Sequence, residues 1–173
     1  MYPSLGKNII NMMLVDDQAY LEENALELLN YPDSFEKTLH VEFIEDDYAL
    51  VFYEWGHILS YNMFGMAEME KNLFSWELIT AYSEYRPENY SIEWLIVELD
   101  DYTVMRGRIA DEDIDKVMLN MAGEAYEVDH FGNGSNYWFY IGEKEDYTGA
   151  SLQGISVSGE VIEEIAFSEA TVQ

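Results

Sequence analysis

The stretch Leu39-His40-Val41-Glu42-Phe43-Ile44-Glu45-Asp46-Asp47-Tyr48-Ala49-Leu50-Val51-Phe52-Tyr53-Glu54-Trp55 decides how the chain is read. Two runs of branched and aromatic residues flank an acidic triplet. Such runs favour extended backbone, whereas Asp favours turns because its carboxylate bonds nearby backbone N–H groups. The pattern predicts an antiparallel hairpin, with strands at Leu39–Ile44 and Tyr48–Trp55 and the turn at Glu45-Asp46-Asp47.

Ahead of the hairpin, Leu21, Ala25 and Leu28 recur at helical spacing. Asp16 or Asp17 can cap that helix and Tyr31-Pro32-Asp33 stops it, so it should span about Asp17 to Asn30. Behind the hairpin, Met66, Met69, Leu73, Trp76 and Ile79 or Thr80 predict a second helix from about Met66 to Tyr82, broken at Arg86-Pro87-Glu88-Asn89. The arrangement then recurs. Ile92–Leu99 and Tyr102–Ile109 read as a hairpin through Asp100-Asp101, and a helix is expected from about Asp111 to Gly123. A third passage runs from Asn136 to Ile141, turns at Glu143-Lys144-Glu145-Asp146 and returns through Tyr147 to Val157. Asp46-Asp47-Tyr48, Asp100-Asp101-Tyr102 and Glu145-Asp146-Tyr147 stand at the corners, 54 and 45 residues apart. A duplicated hairpin-plus-helix unit explains the recurrence; so does chance, since Asp is common in turns and Tyr in strands. The expected fold class is α+β, an antiparallel sheet of β-hairpins with packed helices. It forms one domain over 1–173, with sub-units 1–85 and 86–173 under the duplication.

Charge is the strongest functional signal. Thirty-five Asp and Glu face 8 Lys and Arg, a formal net charge of -27 on 173 residues. The acids are spread from Asp16 to Glu169 among apolar residues, not gathered in a tail. With 49% apolar and 15% aromatic residues the chain has globular composition, so the acids coat a folded body. A body so charged repels itself, which points to a cationic partner. Direct nucleic-acid binding and anionic lipid surfaces are disfavoured by the same repulsion. No stretch approaches about eighteen apolar residues, so no membrane span is expected. The start Met1-Tyr2-Pro3-Ser4-Leu5-Gly6-Lys7 has no basic, apolar leader pattern, and there is no cysteine; both point to the cytoplasm.

Specific chemistries fail on spacing. Asp111, Asp113 and Asp115 open like a calcium loop, but Lys116 stands where the turn needs Gly and Ala122 where the ion needs a bidentate Glu. His40, His57 and His130 form no metal-binding pair. Asp47 and Glu54 lack the lysine of a metal-dependent nuclease, because Trp55 and Gly56 follow. Gly132 and Gly134 do not open a phosphate-cradling helix. With so many acids, no carboxylate pair singles itself out for acid–base work. The expectation is a protein without catalytic activity, metal or cofactor. The aromatic run Tyr137-Trp138-Phe139-Tyr140 should place two rings on each face of a strand.

The -27 charge equals that of about 45 Å of duplex DNA, some 13 base pairs. A folded particle of this size is roughly 35–45 Å across. In composition and charge layout over its full length, the chain resembles the DNA-mimic proteins that phages and mobile elements use against host defences, anti-restriction and anti-CRISPR proteins among them. The resemblance rests on no family motif, so no family's residues carry over. It implies stoichiometric inhibition in the host cytoplasm. Carboxylates would occupy the basic cleft of a nucleic-acid-binding protein or nuclease complex, and a homodimer would extend the imitation. The residues expected to carry this are Glu45, Asp46 and Asp47; Asp100 and Asp101; Asp111, Glu112, Asp113 and Asp115; and Glu143, Glu145 and Asp146. An immunity protein against a nuclease-type toxin, or an acidic chaperone of basic nucleic-acid-binding proteins, fits the same composition.

Overall fold

The helix α1 covers Asp17–Leu29 and starts where the Asp16 carboxylate accepts a hydrogen bond from the backbone N–H of Gln18 at 3.1 Å. That bond satisfies one of the donors left open at a helix N-terminus. The computed structural model to which it belongs describes residues 16–29, 34–57, 60–73, 75–84, 90–131, 135–143 and 147–168. The chain divides into two units, 1–85 and 86–173, each with its own apolar core.

In the first unit, β1 (Ser34–Glu45), β2 (Tyr48–His57), β3 (Ser60–Lys71) and β4 (Trp76–Glu84) form an antiparallel meander in the order β1-β2-β3-β4. The hairpin read from Leu39 to Trp55 is its first half, turning at Asp46-Asp47. Leu21 and Ala25 of α1 pack on Val41, Ala49, Val51, Tyr53, Ala67, Met69 and Trp76. Leu50, Phe52 and Met66, on the other face of the sheet, are also fully buried.

The second unit is a sandwich of two antiparallel sheets. One has the order β5-β6-β10-β9, with β5 (Ile92–Glu98), β6 (Tyr102–Ile109), β9 (Asp129–His130) and β10 (Tyr137–Glu143). The other has the order β12-β11-β7-β8, with β7 (Lys116–Met121), β8 (Glu124–Glu127), β11 (Ser151–Ile155) and β12 (Val161–Ala166). Ile92, Met105, Ile109 and Trp138 from the first meet Val117, Leu119 and Leu152 from the second in one core. The aromatic run alternates: Trp138 enters this core with Tyr140 against it, and Phe139 stacks on Phe131 at 5.3 Å on the other face. Gly107 leaves room within its own sheet for its neighbours on β5 and β10, since a Cβ there would strike the Glu93 carbonyl and lie 2.6 Å from the Trp138 ring.

The α+β expectation with several packed helices is therefore overturned. Among the described residues there is one helix, and the rest of the regular structure is strand. Met66–Tyr82 is not a helix but most of the β3–β4 hairpin. Its apolar residues are spaced three and four apart because β3 is buried on both faces, from Gly65 through Glu68 to Met69, which hides the strand period. Leu73, placed on the expected helical stripe, is 93% exposed in the turn. The helix expected from Asp111 to Gly123 is β7 ending in a tight turn. Ala122 (φ 52°) and Gly123 (φ 86°) both take positive φ, the mark of a type I′ hairpin. The third hairpin does not form either: β10 pairs with β6 and β9, whereas β11 pairs with β7 and β12. A meander under a helix and a two-sheet sandwich are different topologies, so a duplicated hairpin-plus-helix unit is not present.

Candidate functional site

Glu45, Asp46 and Asp47 are all exposed at the β1–β2 turn. Packing of α1 on the sheet brings Asp16 and Asp17 beside them, and a groove is lined by Asp16, Asp17, Phe43, Glu45 and Asp46 among others. The groove's inner wall is tied together. Asp17 accepts from Lys71 Nζ at 2.5 Å and from Trp76 Nε1 at 3.0 Å, and the Lys71 ammonium sits 5.7 Å from the Trp76 ring centroid. Burial pushes the Asp17 carboxyl up, but those hydrogen bonds and the Lys71 charge outweigh it and hold it below its ordinary value. The backbone N–H of Lys71 also bonds the Asp47 carbonyl at 2.7 Å, closing the ends of β2 and β3.

Asp100 and Asp101 are exposed in the β5–β6 turn. The register of β10 on β6 sets Glu143 opposite Tyr102, so Glu143 joins them at that end of the sheet, also exposed. Asp111, Glu112, Asp113 and Asp115 follow β6 at its other end. They cap no helix: Asp111 Oδ1 accepts from Asp113 N at 3.0 Å, and Ile114 N donates to the Asp111 carbonyl at 3.2 Å, forming a self-contained turn. Asp111, Glu112 and Asp115 share a groove with Lys116, Glu127 and His130. At the rise of an extended strand β6 itself, which separates the two clusters, is about 23 Å long. Glu145 and Asp146 lie outside the described residues.

Four of the five described Lys and Arg side chains are buried or paired with acids. Arg106 is 2% exposed, Arg108 grips Glu93 with two hydrogen bonds at 2.7 and 3.0 Å, Lys71 is held by Asp17, and Lys116 meets Glu127 at 3.4 Å. Lys37 alone among the described cations is an exposed side chain outside these pairs. The acids divide evenly, sixteen against three bases over 1–85 and nineteen against five over 86–173, so the units carry -13 and -14.

Sequence reasoning passed over one polar group altogether. Glu68, 9% exposed on β3, accepts from the hydroxyls of Tyr48 at 2.5 Å and Tyr82 at 2.7 Å. The register Tyr48↔Glu70 and Glu68↔Thr80 makes this possible, and it exists only once Met66–Tyr82 is a hairpin. Among the described residues no helix is long and apolar enough to cross a membrane. Comparison with known protein families, with curated proteins and with solved structures gives no match.

Proposed function

We propose that the protein is a stoichiometric inhibitor that presents carboxylates in place of phosphates to the basic cleft of a nucleic-acid-binding enzyme, in the cytoplasm where that enzyme acts. The carrying observation is the pair of exposed acidic clusters fixed at opposite ends of β6. The strand between them is about 23 Å long, so the clusters span at least the rise of about seven base pairs. Each unit's charge equals that of about 23 Å of duplex, carried on a body roughly 30 Å across. Burial or pairing of Lys71, Arg106, Arg108 and Lys116, four of the five described cations, limits the positive surface that could weaken that field among the described residues. A partner that binds DNA through its phosphates gains its affinity from counterion release, and such a surface would compete for the same Lys and Arg side chains. Association would be fast and would weaken steeply with salt.

The test is capture of host proteins on the immobilised chain at moderate salt, followed by elution with duplex DNA. Nucleic-acid-binding proteins released by DNA, and not retained by the variant with Asp100, Asp101 and Glu143 changed to Lys, support the reading. Partners that DNA does not displace would refute it.

A further inference from the structure

We infer that the outer edge of β12 is a strand-addition site for an extended, basic segment of a partner protein. β12 borders its sheet, with β11 on one side and no strand on the other among the described residues. The N–H of Phe167 donates to the Ala150 carbonyl at 2.9 Å. With Ser151 opposite Ala166 and Gln153 opposite Glu164, this phase turns the backbone N–H and C=O of Glu164 and Ala166 away from β11, toward the open edge. Their side chains are exposed. Ile162, 39% exposed, precedes them as the extra residue of a β-bulge, where the register against β11 shifts, so the open stretch of the edge is the regular part of β12 from Glu164 to Ala166.

Two features show that this edge differs from its neighbour. Glu163 points inward, where its carboxylate accepts from the N–H of Ile92 at 3.0 Å and so closes the start of β5, the edge strand of the facing sheet. Glu164 points outward, bonded only along its own sheet to Ser151 at 3.2 Å and Gln153 at 3.1 Å among the contacts described. An incoming strand would therefore find backbone partners at Glu164 and Ala166, an apolar neighbour in Ile162, and a carboxylate that favours Arg or Lys directly opposite. A second copy is the wrong occupant. Antiparallel self-pairing would bring Glu164 of two chains to the same short edge, each chain carrying -27. This contact uses main-chain hydrogen bonds of Glu164 and Ala166 rather than the carboxylates that flank β6, although the start of β12 lies beside the Asp111–Asp115 turn, where Asp115 N bonds the carbonyl of Ile155, the partner of Val161.

The experiment titrates the full chain, labelled with ¹⁵N, with a nine-residue peptide of threonine and valine around one central arginine. The expected result is amide shifts centred on Ile162, Glu164 and Ala166, with slowed hydrogen exchange at Glu164 and Ala166. A peptide with glutamate in place of the arginine should bind about tenfold more weakly. Ala166→Pro removes an N–H that the sheet does not use, so it should abolish the shifts while the rest of the spectrum is kept. Shifts confined to Asp100, Asp101 or Asp111, or undiminished binding by Ala166→Pro, would overturn the inference. So would self-association that Ala166→Pro abolishes, because the occupant would then be a second copy. Failure of DNA to displace captured partners tests the clusters and leaves this result untouched.

Discussion

The Glu163 carboxylate crosses from β12 to the backbone N–H of Ile92, so one side chain joins the two sheets of the sandwich at 3.0 Å. Ile92 is fully buried, and its N–H lies where water is scarce. Glu163→Ala is expected to lower stability by about 1–3 kcal/mol, the cost of stranding a buried donor. Glu163→Gln keeps an acceptor and should lose less. Urea midpoints of the two variants, compared with the parent, measure the difference.

Glu68 is a second structural carboxylate. Glu68→Ala takes the shared acceptor from Tyr48 and Tyr82 and should cost about 1–3 kcal/mol. In a double-mutant cycle, Tyr48→Phe and Tyr82→Phe should each cost less, and their effects should not add, because both act through one carboxylate. Additive losses would show that the tyrosines act independently.

The Lys71–Asp17–Trp76 clasp makes a prediction about pH. The Asp17 carboxyl is held below its ordinary value, so its contribution is present at neutral pH and is lost as the pH falls through the folded value, below about 4. Lys71→Met should destabilise the protein by about 0.5–1 kcal/mol at pH 7, a magnitude set by its half-exposed position. The gap between variant and parent should close as the pH falls below the ordinary carboxylate range and Asp17 takes up its proton. A gap that stays constant with pH would assign the loss to packing of the Lys71 stem on Trp76.

The hairpin from Leu39 to Trp55 and the first helix were legible because local chemistry alone specifies them: apolar runs around an acidic turn, and an Asp at a helix start. The β3–β4 hairpin was not. Its turn contains neither Gly nor Pro; Asn72 builds it with its own side chain, whose Oδ1 accepts from Ser75 N at 3.0 Å while Asn72 N donates to the Ser75 carbonyl at 2.9 Å. Burial of β3 on both faces removed the remaining clue. Exposure of Asp46, Asp100 and Glu112 follows from turn chemistry and is visible in sequence. The company they keep is not, because Glu143 joins Asp100 only through the long-range pairing of β10 with β6.

Gly107 should tolerate no side chain. Gly107→Ala places a Cβ against the Glu93 carbonyl and the Trp138 ring, backbone on one side and a fully buried indole on the other. A loss of about 1–3 kcal/mol or more is expected, read from the thermal midpoint.

Surface charge should act against stability. With -27 on the chain, the thermal midpoint should rise as NaCl is raised from low to moderate concentration. Changing Asp100 and Asp101 to Lys should stabilise the protein at low salt while weakening capture of its partner. A midpoint insensitive to salt would show that self-repulsion is negligible.

The order of pairing also sets a timetable. Each strand of the β1-β2-β3-β4 meander pairs with its neighbours in sequence, so contacts form over short loops as soon as the next strand is available. In the sandwich, β6 waits for β10 and β7 waits for β11, across intervening segments that include strands of the opposite sheet. During synthesis the meander can assemble while the rest of the chain is still being made, whereas the sandwich cannot close until β12 has left the ribosome. Refolding should therefore show a fast phase from the first unit and a slower one from the second, with Trp138 as the late-reporting fluorophore and Trp76 as the early one.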